Sequence, residues 1–551
     1  MTLRIQMLQQ LGEQNFDVII IGGGINGAAS AAALTARGAS VALIDKGDFG
    51  GETSSNSSNL VWGGIKYLEN GELKLVSELC RSRNELMAAY PSQIQEMRFL
   101  TSVQKGFRKP PFLVYLGTLL YWAVGRFWTS APRYFSKRKL QQQEPLIAAG
   151  NLAGGFEYSD AWLAENDARF TFGFVRKALD KGAVAANYLA ATRIQRVSDG
   201  WSVEARDQIK GNDVQIRARV LINAAGPNVD SLNELAGIQT RHCHVFSKGI
   251  HLIVERINEV CRVMAFFATD GRLFFVIPMG DKTCIGTTDT PVDSPAVSVS
   301  TDDRQFVLDN VNRLLNLPEP LTSSDIISER CGVRPLVGEK NDRSGLRIQK
   351  QQVHHSKGEQ SEQGSPNDWL KMSRKHVIEV NDEKACISLF GGKLTDCVNV
   401  GNEISADVKK LGIELVEPTE PWFGEPELSG KAALQQRVRS RMRDKSQTEA
   451  DALTHRLWRR YGEAANKILD EESSHSGWLE PVMEGVDYCL GELHLIAERE
   501  MVTRLDDFLR RRSMLSLTHR KQDLLSKTGM FELCRSLFGI DAEARLSEYQ
   551  Q

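Results

Sequence analysis

The chain has 551 residues, too many for one ordinary core, so two or three domains around a large interior are expected, with room for a sizeable ligand. A formal net charge of −2 argues against wholesale nucleic-acid binding, so no nucleic-acid partner is expected and only local patches of one sign can be informative. Nine scattered cysteines with no CxxC pair argue against a disulfide-stapled scaffold and fit a reducing, cytoplasmic setting.

The opening residues, MTLRIQMLQQLGEQ, lack the continuous apolar core and cleavage site of a secretory signal, so export is not expected. Residues 17–21 (DVIII) read as a short buried strand, 26–37 as an Ala-rich helix ending at Gly38, and 40–44 as a second strand. That order is the βαβ opening of a doubly wound, α/β sheet. Gly22, Gly24 and Gly27 place GxGxxG directly after the first strand. The first glycine allows the tight turn, the second lets backbone approach a pyrophosphate, and the helix N-terminus faces the phosphates. Asp45, closing the second strand, can accept hydrogen bonds from a ribose diol. Residues 49–58 (FGGETSSNSS) and 61–69 (VWGGIKYLE) follow, dense in hydroxyls and glycines. Such a loop can wrap phosphate and ring atoms with backbone and Ser/Thr donors, or else be a flexible linker.

From residue 97 to 143 there is no Asp or Glu, while Arg98, Lys105, Arg108, Lys109, Arg126, Arg133, Lys137, Arg138 and Lys139 surround the apolar run 112–125. That run falls short of the ~20 residues a spanning helix needs, so no transmembrane segment is predicted. It suits an interfacial helix on anionic lipid, or a buried helix at a domain contact with a solvated basic edge. Residues 220–223 and 385–389 read as buried strands closing on Ala224-Ala225-Gly226-Pro227 and Gly391-Gly392, which makes the nucleotide domain discontinuous. Residues 251–255, 272–278 and 283–289 have the β-branched and aromatic content of a second sheet. His242-Cys243-His244 lacks a second ligand pair, so no metal site is expected. Residues 349–368 read as a mobile surface loop, and the pattern turns helical from about residue 428. The expected division is a nucleotide-binding domain over 1–75, 145–240 and 325–410, a substrate or cap domain over 76–144 and 241–324, and a helical domain over 411–551.

The words GGGINGA, TSSNSS and GGIKYLE are followed in order by Lys248-Gly249-Ile250-His251, Ile285-Gly286-Thr287-Thr288-Asp289, Gly332-Val333-Arg334-Pro335-Leu336, Ser373-Arg374 and Phe390-Gly391-Gly392-Lys393-Leu394-Thr395. In these words the chain closely resembles the FAD-dependent, aerobic glycerol-3-phosphate dehydrogenases from about residue 16 to 400. Arg459-Arg460-Tyr461-Gly462 and Asp506-Asp507-Phe508-Leu509-Arg510-Arg511-Arg512 extend a looser likeness into the tail. The resemblance implies a Rossmann-type FAD-binding domain with a β-rich substrate domain and a helical C-terminal domain. It implies oxidation of sn-glycerol 3-phosphate to dihydroxyacetone phosphate by hydride transfer to the flavin, and since no His or Cys stands beside the glycine fingerprint, a non-covalent flavin is expected. It also implies a ubiquinone or menaquinone acceptor and a peripheral position on the inner, anionic face of the membrane; a homodimer is a candidate assembly.

For the cofactor the resemblance offers Gly22, Gly24, Asn26, Gly27, Asp45, Thr53, Ser54, Ser55, Ser58, Gly63, Gly64, Gly226, Asp289, Gly392, Lys393 and Leu394. For the substrate it offers Lys66, Tyr67, Arg334, Arg374 and Thr395, and for catalysis His251, Arg334 and Lys393. A phosphate dianion suits the forks of Arg334 and Arg374, and an ordinary histidine pKa suits His251 for base work near neutrality. Three departures bear on substrate identity: Lys66 where the family usually has Arg, Trp62 where it commonly has His, and Asp396 where it has an uncharged residue. The alternatives are an oxidase of the same fold that reduces oxygen, an FAD amine or amino-acid oxidoreductase, and a flavin-bound interaction protein.

Overall fold

The computed structural model describes residues 2–107, 110–268, 272–340, 375–471 and 477–551. Arg374 and the polar stretch 349–368 lie outside these, as do Arg108 and Lys109.

The first strand, Asn15–Ile21, carries a run of Val and Ile with both faces covered, as a central parallel strand requires. Val18 pairs in register with Val41 on one side and Val220 on the other. The eight-stranded sheet has a main path Val377–Asn381, Cys386–Phe390, Asp213–Asn223, Asn15–Ile21, Val41–Ile44, Val184–Ala186, parallel except for its first, edge strand, and the antiparallel pair Leu189–Val197 and Gly200–Asp207 joins it at Asp213–Asn223. Strand segments far apart in sequence thus share one sheet, as the buried runs at 220–223 and 385–389 predict. The helix Ile25–Thr35 is nearly all Ala and other small residues and is buried along most of its length. Small side chains let it lie close to the helices Asp167–Asp180 and Cys397–Lys410.

A second sheet of ten strands contains His242–Glu255, Lys282–Gly286, Leu273–Met279, Val263–Phe267, Ile94–Gln104 and Leu152–Leu163 in that spatial order. Ser328–Glu339 pairs antiparallel with His242–Glu255 along twelve residues. Two stretches expected in the nucleotide domain, within 145–240 and 325–410, therefore hold strands of the second sheet. Their sequences mix Gly, Glu, Asp and Arg with apolar residues, and strand partners are chosen by contacts far away in sequence. From Leu428 onward the described residues form helices and turns. Buried ion pairs fasten this helical domain: Arg512 holds Asp48 at 2.8 Å, and Arg169 holds Glu500 at 3.0 Å.

The apolar run forms the helix Pro111–Val124, with Thr118 and Tyr121 turned inward and Phe112, Leu113, Leu116 and Leu120 exposed. Among the described residues no helix is long and apolar enough to cross a membrane.

Candidate active site

At the carboxyl ends of the parallel strands, Gly22, Gly24, Asn26, Asp45, Thr53, Ser54, Gly226 and Gly392 line one cleft, the place where doubly wound sheets bind nucleotides. Gly22 has φ +110°, and a Cβ there would lie 2.3 Å from the Ala224 carbonyl oxygen. A Cβ on Gly27 would lie 1.9 Å from the Gly22 oxygen, so Gly27 serves the approach of helix to turn. Around Gly24 the nearest obstacle is Ser54 Oγ at 3.4 Å, which leaves its Cα face open to the cleft. Ser54 Oγ accepts the Ile25 N–H at 3.0 Å at the head of the helix. Asp45 accepts the N–H groups of Gly23 at 2.7 Å and Gly47 at 2.8 Å. Burial, with Asp48 and Glu52 nearby, outweighs those two bonds and pushes its carboxyl up to about 7. Asn26 donates to the Gly391 carbonyl at 3.0 Å, and its own amide oxygen is buried without a hydrogen-bond partner. An open glycine face at a helix head, a carboxylate at the end of the second strand and a spare buried acceptor are what an adenine dinucleotide needs.

Other loop residues serve the frame. The Ser55 hydroxyl is spent on Gly51 and Glu52 of its own turn, and Thr53 donates to the Val333 carbonyl at 3.1 Å, tying loop to second sheet. Ser58 and Leu394 are half-buried beside them.

On the second sheet, Ser247, Gly249 and His251 stand opposite Arg334, Gly332 and Arg330. Both ring nitrogens of His251 are buried without a hydrogen-bond partner. Burial, then the charges of Arg330 and Arg334, push its pKa down to about 3. This corrects the expectation of an ordinary histidine: the ring is neutral throughout the physiological range. The Arg334 fork lies over Gly249, donates to Thr287 Oγ1 at 3.0 Å and pairs with Asp289 at 3.3 Å. Asp289, expected at the cofactor, is thus the counter-ion of Arg334 and also accepts from the Ser247 hydroxyl. Arg330, fully buried, donates to the Ser57 carbonyl and to Asn59. Sequence reasoning missed it, because only the cross-strand register reveals it as a neighbour of His251.

Lys393 Nζ lies 3.9 Å over the Tyr67 ring, and Thr395 Oγ1 donates to the Trp62 carbonyl at 3.4 Å, so the two glycine-led loops at 62–69 and 391–395 meet. Lys66, two positions beyond Gly64, borders an apolar cleft with Leu113, Leu116, Leu120 and Phe275 beneath the exposed helix. Asp396 is taken up by His376 at 2.5 Å and Asn399 at 2.7 Å, and His376 meets Glu403 at 2.9 Å through its other nitrogen.

A nucleotide cleft in a discontinuous parallel sheet, abutted by a mixed sheet that carries buried cations, defines a flavin-dependent oxidoreductase. Residues 17–361 match the family described as FAD dependent oxidoreductase, and the chain belongs to it; residues 425–545 match the C-terminal domain of alpha-glycerophosphate oxidase. The protein is therefore an enzyme with FAD as its cofactor. Among its relatives are the aerobic glycerol-3-phosphate dehydrogenase of Escherichia coli (strain K12), 29% identical over 514 residues, covering 90% of this chain and 93% of the relative. The D-erythritol 1-phosphate dehydrogenase of Brucella abortus (strain 2308) is 29% identical over 508 residues, covering 90% and 94%. The fold is shared with the glycerol-3-phosphate dehydrogenase of Bacillus halodurans complexed with FAD, with a TM-score of 0.71 at 23% identity over 100% of this chain and 96% of that one.

Proposed function

We propose that this enzyme oxidises sn-glycerol 3-phosphate to dihydroxyacetone phosphate and passes the electrons to a ubiquinone or menaquinone in a membrane on which it rests. The observation that carries the reading is a buried, neutral His251 set between Arg330 and Arg334, on strands against which the Gly391 turn leading to Lys393 packs. Bound FAD supplies the two-electron acceptor. The residues that would hold it are those lining the cleft, with Asp45 toward a ribose and Gly24 toward the pyrophosphate. His251 offers a lone pair to the proton of the C2 hydroxyl, and burial keeps water from competing for it. Arg334 and Lys393 hold phosphate and developing alkoxide charge. A dianion set against Arg334 offsets the field that depresses His251, so the base strengthens as substrate arrives.

The acceptor assignment is supported by the exposed apolar helix, its basic surroundings and the apolar cleft that Lys66 borders. Relatives that are glycerol-3-phosphate dehydrogenases support the substrate. One observation favours a second reading: the tail matches the C-terminal domain of an oxidase, so oxygen is the competing acceptor. Adding sn-glycerol 3-phosphate without oxygen should bleach the oxidised flavin absorbance, and a quinone analogue should restore it. Peroxide formation at a rate matching turnover in air would favour the oxidase, and a flavin that stays oxidised would turn the search to longer polyol phosphates.

A further inference from the structure

Asp160 is fully buried in the strand Leu152–Leu163 and gathers three donors. The Gly63 N–H reaches it at 3.0 Å, an Arg83 nitrogen at 2.9 Å and the Tyr121 hydroxyl at 2.8 Å. Arg83 also donates to the Tyr121 oxygen at 3.1 Å, so the three side chains form one closed cluster, each no more than 2% exposed. Its members come from four places: the second sheet, the helix Leu73–Ala89, the exposed apolar helix and the GGIKYLE loop. Burying an ion pair gains little stability over well-packed apolar residues, so the cluster's value lies in the geometry it fixes.

That geometry is unusually tight at the loop. A Cβ on Gly63 would sit 2.2 Å from the Tyr121 oxygen, so glycine is required for the hydroxyl to share Asp160 with the Gly63 amide. Within four residues of the clamped amide stand Lys66 and Tyr67, and Tyr67 carries Lys393 on its ring. The neighbouring Asn84 donates to the Gly125 carbonyl at 3.0 Å, holding the C-terminal end of the surface helix against the same helix that supplies Arg83.

We propose that Asp160 is a positioning residue for the substrate loop: it clamps the Gly63 amide so that Tyr67, and the Lys393 ammonium on its ring, are presented to substrate, and Tyr121 ties that clamp to the surface helix. The substrate half of this statement rests on the proposed function; the clamp does not. Tyr121→Phe keeps the ring and removes one donor. It should speed amide hydrogen exchange in the segment 61–68 by about tenfold, the scale of one lost hydrogen bond, with no change at the core strand 18–21. Steady-state kinetics should show KM for sn-glycerol 3-phosphate raised about fivefold, kcat within about twofold and FAD content unchanged, the signature of lost substrate positioning.

Gly63→Ala should raise KM more. In the Tyr121→Phe background the oxygen is gone and the closest remaining atoms are Cys80 Sγ at 3.0 Å and the ring at 3.2 Å, so the double variant should recover part of that loss. Unchanged exchange in 61–68, an equal rise at 18–21, an unchanged KM, or additive losses in the double variant would each overturn the proposal. If the wild-type flavin is not reduced by sn-glycerol 3-phosphate at all, the proposed function fails, and exchange at 61–68 decides the clamp alone.

Discussion

Whether His251 acts as a base turns on charge more than on position. Its motif is readable in the sequence, since Lys248-Gly249-Ile250-His251 falls in a strand of strong β content. Its protonation state is not, because burial and the two arginines of the facing strand depend on a register that joins distant segments. Protonation occurs only near pH 3, so the base form is present from pH 5 to 8. The profile of kcat/KM, which reports groups of the free enzyme, should therefore show no limb from His251 in that range. His251→Asn should lower kcat by about 10²- to 10⁴-fold without changing the shape of the profile. A limb near pH 6.5 that vanishes in the variant would mean that the arginines do not depress the ring. One fingerprint glycine was legible for the opposite reason: Gly27 answers to the Gly22 carbonyl oxygen within one turn, and local sterics leave a local trace, whereas the atoms that Gly22 avoids belong to the distant Ala224 and Ala225.

At the scale of elements, the strands made of continuous Val and Ile were legible, and so were the helices of the tail. The strands Leu152–Leu163 and Ser328–Glu339 were not assigned to their sheet, because their inward polar residues are satisfied by partners remote in sequence, Arg83 for Asp160 and Ser57 for Arg330. The Arg510-Arg511-Arg512 word was visible, yet its purpose is visible only in three dimensions: Arg511 and Arg512 both hold Asp48 at 2.8 Å, joining the tail to the loop after the second strand. Arg512→Ala should cost about 3 kcal/mol in chemical denaturation, the low end for breaking a buried pair, because Arg511 still faces the carboxylate. A loss under about 0.5 kcal/mol, the range of ordinary surface changes, would show the pair to be dispensable. His376 makes a contrasting case. Burial works against its charge, but hydrogen bonds and attraction from Asp396 and Glu403 outweigh that and raise its pKa. A raised histidine pKa contributes stability that is fully present below the unfolded value of about 6.5 and is lost as pH rises through the higher folded value. Wild-type stability should decline over that window and His376→Gln should not, as thermal melts across the window would record. Asp396 thus holds His376 at a strand end beside the Lys393 loop.

For the whole molecule, the open question is what faces the exposed helix Pro111–Val124. Phe112, Leu113, Leu116 and Leu120 form one apolar stripe, Phe127 and Trp128 extend it, and Arg126, Arg133, Arg138 and Lys139 are exposed around it. The sequence left open a buried helix at a domain contact; the structure leaves the stripe outward, with only Thr118 and Tyr121 among the buried members. An apolar stripe ringed by cations fits anionic lipid, where apolar burial and about 1 kcal/mol for each nearby Lys or Arg act together. The two contributions separate experimentally. Salt screens the cations and leaves the stripe, so partition onto vesicles containing phosphatidylglycerol should weaken, without vanishing, between low and high ionic strength. Leu116→Glu with Leu120→Glu removes two leucines from the stripe, each worth about 1.5–3 kcal/mol if fully buried in lipid, and should lower vesicle partition by at least about 100-fold. Reduction of the flavin by substrate in solution should be unaffected, since neither leucine lies in the cofactor cleft. Equal partition of wild type and double variant would move the lipid contact elsewhere on the molecule. Equal partition with a slowed reoxidation by quinone would instead place the helix at the acceptor entrance, over the apolar cleft that Lys66 borders.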